Sequence, residues 1–132
     1  MKTSWQFGLP EETGFGFAQA VRAGSMLYVS GQVGTDGDRR PADVEGQMRI
    51  AYERIVRVLA AAGATIDDVV DETIFVTDLT EAAPAARLVR REVYGASPEV
   101  ASTFIGVNQI GNPRASTPLL VEIKCTAVLA DA

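Results

Sequence analysis

Residues 44 to 62 constrain the fold more than any other part of the sequence, because their apolar side chains recur at helical spacing on one side only. Asp43 is a suitable cap for the start of such a helix, and Gly63 stands where a glycine commonly follows a helix end. A one-sided helix of this length must bury its apolar face against another layer. We therefore interpret Met48 and Tyr52 as core residues rather than ligand contacts.

Strand-forming runs lie on both sides of this helix, and a second helix is predicted from Thr80, its cap, to about Tyr94, before Gly95. This order of elements is typical of an α+β fold in which one sheet carries both helices on one face. The length predicts one domain over residues 1–132. The predicted strands cover residues 4–7, 15–21, 26–31, 71–76, 101–109 and 119–129.

The last predicted strand alternates cleanly between its two faces. One face carries Cys125, which we interpret as a core thiol, and the other carries Glu122. The sheet face away from the helices is expected to hold Phe104, Leu120 and Val128. Such a face needs cover, so self-association is expected.

The composition excludes several classes of function. The chain has no histidine, which rules out histidine bases, Ser-His and Cys-His nucleophiles and histidine-containing metal sites. Its net charge of −5 disfavours a nucleic-acid partner. No apolar run approaches the roughly 20 residues of a membrane helix. The first residues lack the apolar region of a secretory signal, so a cytoplasmic location is expected.

The segment from Tyr28 to Gln32 is a candidate binding element. Its apolar residues favour a strand, and the strand ends in Ser30 and Gly31. A small hydroxyl beside a bare backbone can present a hydroxyl group and amide N–H groups to a ligand. The alternative is an ordinary turn at the end of a strand.

The chain resembles the YjgF/RidA-like proteins, also called the L-PSP endoribonuclease family, over nearly its whole length and in the right order. The pieces that carry the resemblance are Ala20-Val21-Arg22-Ala23-Gly24, Tyr28-Val29-Ser30-Gly31-Gln32, Asp43-Val44 before Gln47, Leu59-Ala60-Ala61-Ala62-Gly63, Asp67-Asp68-Val69-Val70, Phe75-Val76-Thr77-Asp78-Leu79, Ala101-Ser102-Thr103 and Val121-Glu122-Ile123.

The resemblance implies a chorismate-mutase-like α+β domain that forms a homotrimer. It also implies a small-molecule ligand in clefts between subunits. The best-known activity of the family is hydrolysis of reactive enamines and imines, such as 2-aminoacrylate and 2-iminopropionate, to 2-keto acids and ammonia. No metal and no organic cofactor is implied.

The resemblance also assigns roles to individual residues. Glu122 corresponds to the acid/base, while Ser30 and Gly31 match the substrate-orienting pair. Phe17 stands where deaminating members carry an aromatic hydroxyl, and Ser102 stands at the position of their substrate-binding Arg. The chain is thus expected to be in a branch without that Arg.

Arg114, in the loop before the last strand, could reach the cleft and replace the missing anchor, or it could be solvated. Two hypotheses for function therefore stay open. The first is an imine or enamine hydrolase whose substrate differs from 2-aminoacrylate. The second is a trimer that binds or senses a small metabolite without turnover. Ribonuclease activity is disfavoured, because the chain is acidic and lacks histidine.

Overall fold

The computed structural model describes residues 1–111 and 115–130 and places all strands in one mixed sheet of order β1-β2-β3-β6-β4-β5. The pair β4 and β5 is parallel, and every other neighbouring pair is antiparallel. The strands are β1 Lys2–Trp5, β2 Ala20–Ala23, β3 Met26–Val33, β4 Val69–Val76, β5 Ala101–Gly106 and β6 Val121–Val128. The helices are α1 Pro10–Phe15, α2 Val44–Ala61 and α3 Leu79–Tyr94, with a 3-10 turn at Ile66–Asp68.

Helix α2 confirms the prediction made from its apolar periodicity. The Asp43 side chain accepts a hydrogen bond from the amide of Gly46, and Gly63 adopts a positive φ of 80° just beyond the helix. Met48 and Tyr52 are buried, as expected for residues on the inner face. Capping and one-sided burial together account for this element.

Helix α3 is capped two residues earlier than predicted. Asp78, not Thr80, is the N-cap: its carboxylate accepts a hydrogen bond from the amide of Glu81 at 3.0 Å. Thr80 lies inside the first turn of the helix. The helix ends at Tyr94, and Gly95 follows, as predicted.

The main core lies between the sheet and the two long helices, which confirms the α+β fold with both helices on one face. Alternate residues of β6 are buried against these helices, among them Ile123 and Cys125. Burial raises the pKa of the Cys125 thiol to about 12, so it is an unreactive core residue, as predicted.

Two parts of the predicted pattern were wrong. Residues 15–21 were predicted as a strand, but Phe15 ends helix α1 and the strand begins only at Ala20. Phe104 packs against the helix-side core rather than on the outer face, because it is paired with the fully buried Ile74. Ile105, the neighbour of Phe104, is exposed instead.

The sheet face away from the helices carries exposed apolar side chains from three strands. They are Tyr28 of β3, Ile105 of β5 and Val128 of β6. The outer face is therefore apolar, as expected, but the exposed residues differ from the expected ones, and Val128 belongs to both the expected and the observed set. In the described part of the chain, no helix is both long and apolar enough to cross a membrane.

Candidate active site

Glu122 projects from the middle of the sheet toward the face without helices. It alternates with Val121 and Ile123, which are fully buried on the helix side. The Glu122 side chain is itself partly buried, and this burial raises the pKa of its carboxyl group. A carboxyl with a raised pKa holds its proton closer to neutral pH than an exposed one does.

Gly31 packs directly against this carboxyl group. A Cβ atom placed on Gly31 would lie 2.8 Å from the Glu122 side-chain carboxyl carbon, which is closer than such atoms approach in proteins. The register between β3 and β6 explains the contact. Val29 pairs with Cys125 and Gln32 with Ile123, so Ser30 and Gly31 together lie opposite the single residue Lys124, and Glu122 pairs with Val33. This β-bulge brings a bare backbone against Glu122.

Ser30 joins the bulge to the segment that contains Phe17. Its hydroxyl donates to the carbonyl of Ala18 at 2.6 Å, and its amide donates to the carbonyl of Gln19 at 2.9 Å. Phe17 and Ala18 line a cavity of about 630 Å³ beside helix α1. The structure thus brings the backbone next to Phe17 together with Ser30, Gly31 and Glu122.

A buried polar network, which the sequence reasoning missed, holds this segment in place. The Glu12 carboxylate accepts hydrogen bonds from the amides of Phe7 and Gly8 and from the side chain of Gln19. Burial alone would raise the pKa of Glu12, but these hydrogen bonds together lower it. Gln32 in turn donates to Gln19 and to the carbonyl of Ser30, so the network reaches the bulge.

Ser102 does not lie near Ser30, Gly31 and Glu122 within the subunit. Its hydroxyl donates to the carboxylate of Glu72 at 2.7 Å, and the two residues are paired across β5 and β4. Glu72 is fully buried on the helix side, whereas Glu122 is paired with Phe75, three residues further along β4. Ser102 and Glu122 therefore lie on opposite faces of the sheet.

Glu72 is the centre of a cluster that the sequence reasoning did not find. The hydroxyls of Tyr52 and Tyr94 each donate to one carboxylate oxygen at 2.7 Å. The Arg90 Nε lies 3.0 Å from the other oxygen, as an ion pair without hydrogen-bond geometry. Burial, followed by the charge of Glu72, raises the pKa of both tyrosines. An acidic residue in step with the apolar residues Ile74 and Val76 of the same strand was the available signal.

Arg114 lies outside the residues that the structure describes, so its predicted reach toward the cleft stays a prediction. Within residues 1–111 and 115–130, no group of three or more His, Cys, Asp and Glu side chains could hold a metal ion. Chemically, the site on the helix-free face offers one carboxyl group with a raised pKa, one hydroxyl group and exposed backbone. These groups can move a proton and orient a small polar molecule.

The comparisons with known proteins agree with this arrangement. A family model described as Endoribonuclease L-PSP matches residues 12–129. The chain is 39% identical to the RutC family protein YjgH of Escherichia coli over 92 residues, which are 69% of this chain and 70% of that protein. It is 35% identical to a 2-iminobutanoate/2-iminopropanoate deaminase of Escherichia coli over 67 residues, 49% of this chain and 52% of that enzyme.

A solved structure from Mycobacterium tuberculosis, of a member of the YjgF/YER057c/UK114 family, superimposes with a TM-score of 0.84 at 29% identity. The superposition covers 98% of this chain and 100% of that one. The similarity in fold therefore extends over the sheet and both long helices.

Proposed function

The chain belongs to the Endoribonuclease L-PSP family, and on that premise we propose that it hydrolyses small reactive imines or enamines to carbonyl compounds and ammonia. The observation that carries the proposal is the partly buried Glu122 carboxyl group, whose pKa is raised and which packs against Gly31. The likeness to a 2-iminobutanoate/2-iminopropanoate deaminase supports the same class of reaction.

In the proposed mechanism, Glu122 serves first as acid and then as base. Its protonated carboxyl gives a proton to the imine nitrogen, or to the β-carbon of an enamine, and the carboxylate then accepts a proton from the water that adds to the imine carbon. Glu122 passes this proton to the amine nitrogen of the adduct. The C–N bond breaks, ammonia leaves, and the hydroxyl proton returns to the carboxylate as the carbonyl forms.

The other groups of the site orient the substrate in this proposal. The Ser30 hydroxyl donates to Ala18, so its oxygen can still accept a hydrogen bond from a substrate N–H or O–H group. The missing side chain at Gly31 leaves room for the Glu122 carboxyl group, which a Cβ atom at residue 31 would displace. Phe17 is proposed as an apolar wall. We place the reaction in a cleft between subunits of a homotrimer, as the family resemblance implies, and we propose that the protein is cytoplasmic.

The second candidate is a trimer that binds a small metabolite without turnover. It is favoured by the sequence of residues 98–106, which contains no basic residue to anchor a substrate carboxylate. Both candidates use the same site, so a direct assay is needed to separate them.

The deciding experiment measures release of 2-keto acid from freshly generated 2-iminopropionate and 2-aminoacrylate, above the spontaneous rate in buffer. Loss of a general acid–base typically costs about 10²- to 10⁴-fold, so we expect Glu122→Gln to reduce the enzymatic rate by at least about 100-fold. Glu99→Gln is the matched control, since Glu99 is exposed and lies outside the helices and strands. Wild-type protein that gives no rate above buffer on any imine tested would favour the binding protein.

A further inference from the structure

A cavity of about 750 Å³ lies on the helix side of the sheet, away from Glu122. It is lined by the N-terminal segment, by the loop that follows β3 and by the C-terminal half of helix α2. Its volume is in the range of pockets that hold small organic ligands. None of Phe17, Ser30, Gly31 and Glu122 lines it, and Leu9 is shared with the cavity beside Phe17.

Arg54 is a largely buried charged group of this cavity. Its side chain is only 12% exposed. Its Nε donates to the Gln32 side chain at 3.1 Å and its Nη1 to the carbonyl of Thr35 at 2.7 Å, and both acceptors are neutral. Among the residues that the structure describes, the carboxylate within 4 Å of this side chain is that of Glu11, whose oxygen is 3.9 Å from Nη2. A largely buried guanidinium with such weak charge compensation favours an anion beside it.

Two further arginines line the same cavity. Arg57 binds the Asp36 carboxylate at 2.8 Å, and Arg40 donates to the neutral carbonyl of Thr117 at 2.8 Å. Since Glu11 and Asp36 are the acidic residues of the lining, the three arginines leave a net positive charge. Phe7, Leu9 and Ala61 supply an apolar wall.

We propose that this cavity is a second ligand site, which binds a small organic anion through Arg54 and Arg57. The ligand carries a carboxylate or a phosphate group for the arginines and a compact apolar body for the wall formed by Phe7 and Leu9. Binding at this site does not depend on the reaction proposed for Glu122, because the two sites lie on opposite faces of the sheet.

The test is calorimetric titration of the full chain at low ionic strength with benzoate, phenyl phosphate and benzamide, the neutral analogue of benzoate. We expect one or both anions to bind and benzamide not to bind. Binding of benzoate alone or phenyl phosphate alone identifies the preferred head group. Both Arg54→Gln and Arg57→Gln should weaken binding by about tenfold or more, since each removes a charge-assisted contact.

Arg57→Gln is needed because Arg54 also holds Gln32 and through it the bulge, so that substitution of Arg54 can loosen β3. Arg49→Gln is the matched control: it lies on the same helix, pairs with Glu45 and Glu92, and is outside this cavity. No binding of either anion at millimolar concentration would overturn the proposal. Equal binding of benzamide, or anion binding that both Arg54→Gln and Arg57→Gln leave unchanged, would overturn it as well.

Discussion

Gly31 has no side chain, and this absence determines where the carboxyl group of Glu122 can lie. A Cβ atom at Gly31 would approach both the carboxyl carbon and the neighbouring methylene of Glu122 within 3 Å. The contact involves the flexible side chain of Glu122 rather than backbone. The carboxyl group can therefore move aside without disrupting the sheet.

Substitution Gly31→Ala should accordingly reduce activity more than stability. A displacement of about 1 Å in an active site can cost about 100-fold in rate, so we expect a loss of roughly 10- to 100-fold in imine hydrolysis. Gly14→Ala is the control, because a Cβ atom there meets no atom within 4 Å. Rates and chemical denaturation are measured for both variants. A fully active Gly31→Ala protein would show that the position of the Glu122 carboxyl is not set by Gly31.

The raised pKa of Glu122 also predicts how stability depends on pH. Because burial raises this pKa in the folded state, the folded protein binds more protons than the unfolded chain between the ordinary and the raised pKa. The stability contributed by the neutral carboxyl is complete below the ordinary pKa and is lost as pH rises through the raised value.

We therefore expect Glu122→Gln to match the wild type in stability near about pH 4 and to exceed it near about pH 8. Urea denaturation at both pH values and at one protein concentration measures the difference. Glu99→Gln controls for the loss of one negative charge from an exposed site. A Glu122→Gln protein that is less stable than the wild type at the higher pH would contradict the conclusion that burial raises the pKa of Glu122.

At the scale of elements, the start of helix α3 gives a direct comparison between two candidate caps. Asp78 accepts the hydrogen bond from Glu81, while Thr80 lies within the first turn. Loss of an N-cap side chain costs about 1 kcal/mol, so Asp78→Ala should lower the free energy of unfolding by about that amount. Thr80→Ala should change it by less than about half as much. Equal losses in the two variants, measured by urea denaturation, would argue against the cap at Asp78.

The helices were more predictable than the strands for a physical reason. The apolar spacing and the Asp43 and Gly63 signals defined α2 locally, and the structure confirms them. Strand faces, in contrast, depend on register, and a shift of one residue exchanges the two faces of a strand. This is why Phe104 was placed on the wrong face and why Ser102 lies beside Glu72 rather than Glu122.

The candidate site was predictable only in part for a related reason. Ser30 and Gly31 were identified from the sequence, but the bulge that sets Gly31 against Glu122 depends on pairing with a strand about 90 residues later in the chain. The Glu72 cluster likewise joins residues from α2, α3, β4 and β5. Contacts of this kind leave no short motif in the sequence.

At the scale of the whole molecule, the helix-free face of the sheet combines the candidate active site with exposed apolar side chains. Tyr28 is 51% exposed and Val128 is 39% exposed, and both lie on the same face as Glu122. A face of this kind is commonly covered by association. If the proposed homotrimer uses it, subunit contact would also enclose the carboxyl group and further disfavour its ionised form.

We expect light scattering at micromolar concentration to give three times the 14.0 kDa mass of the chain. Val128→Asp would place a charge in the proposed interface, so it should lower the measured mass and reduce imine hydrolysis together. Val56→Asp is the matched control, since Val56 is 47% exposed on helix α2 and should leave both quantities unchanged. A wild-type monomer, or a Val128→Asp protein that keeps the trimer mass, would show that the helix-free face of the sheet is not a subunit interface. Activity retained by a monomer would in addition show that one subunit suffices for the reaction.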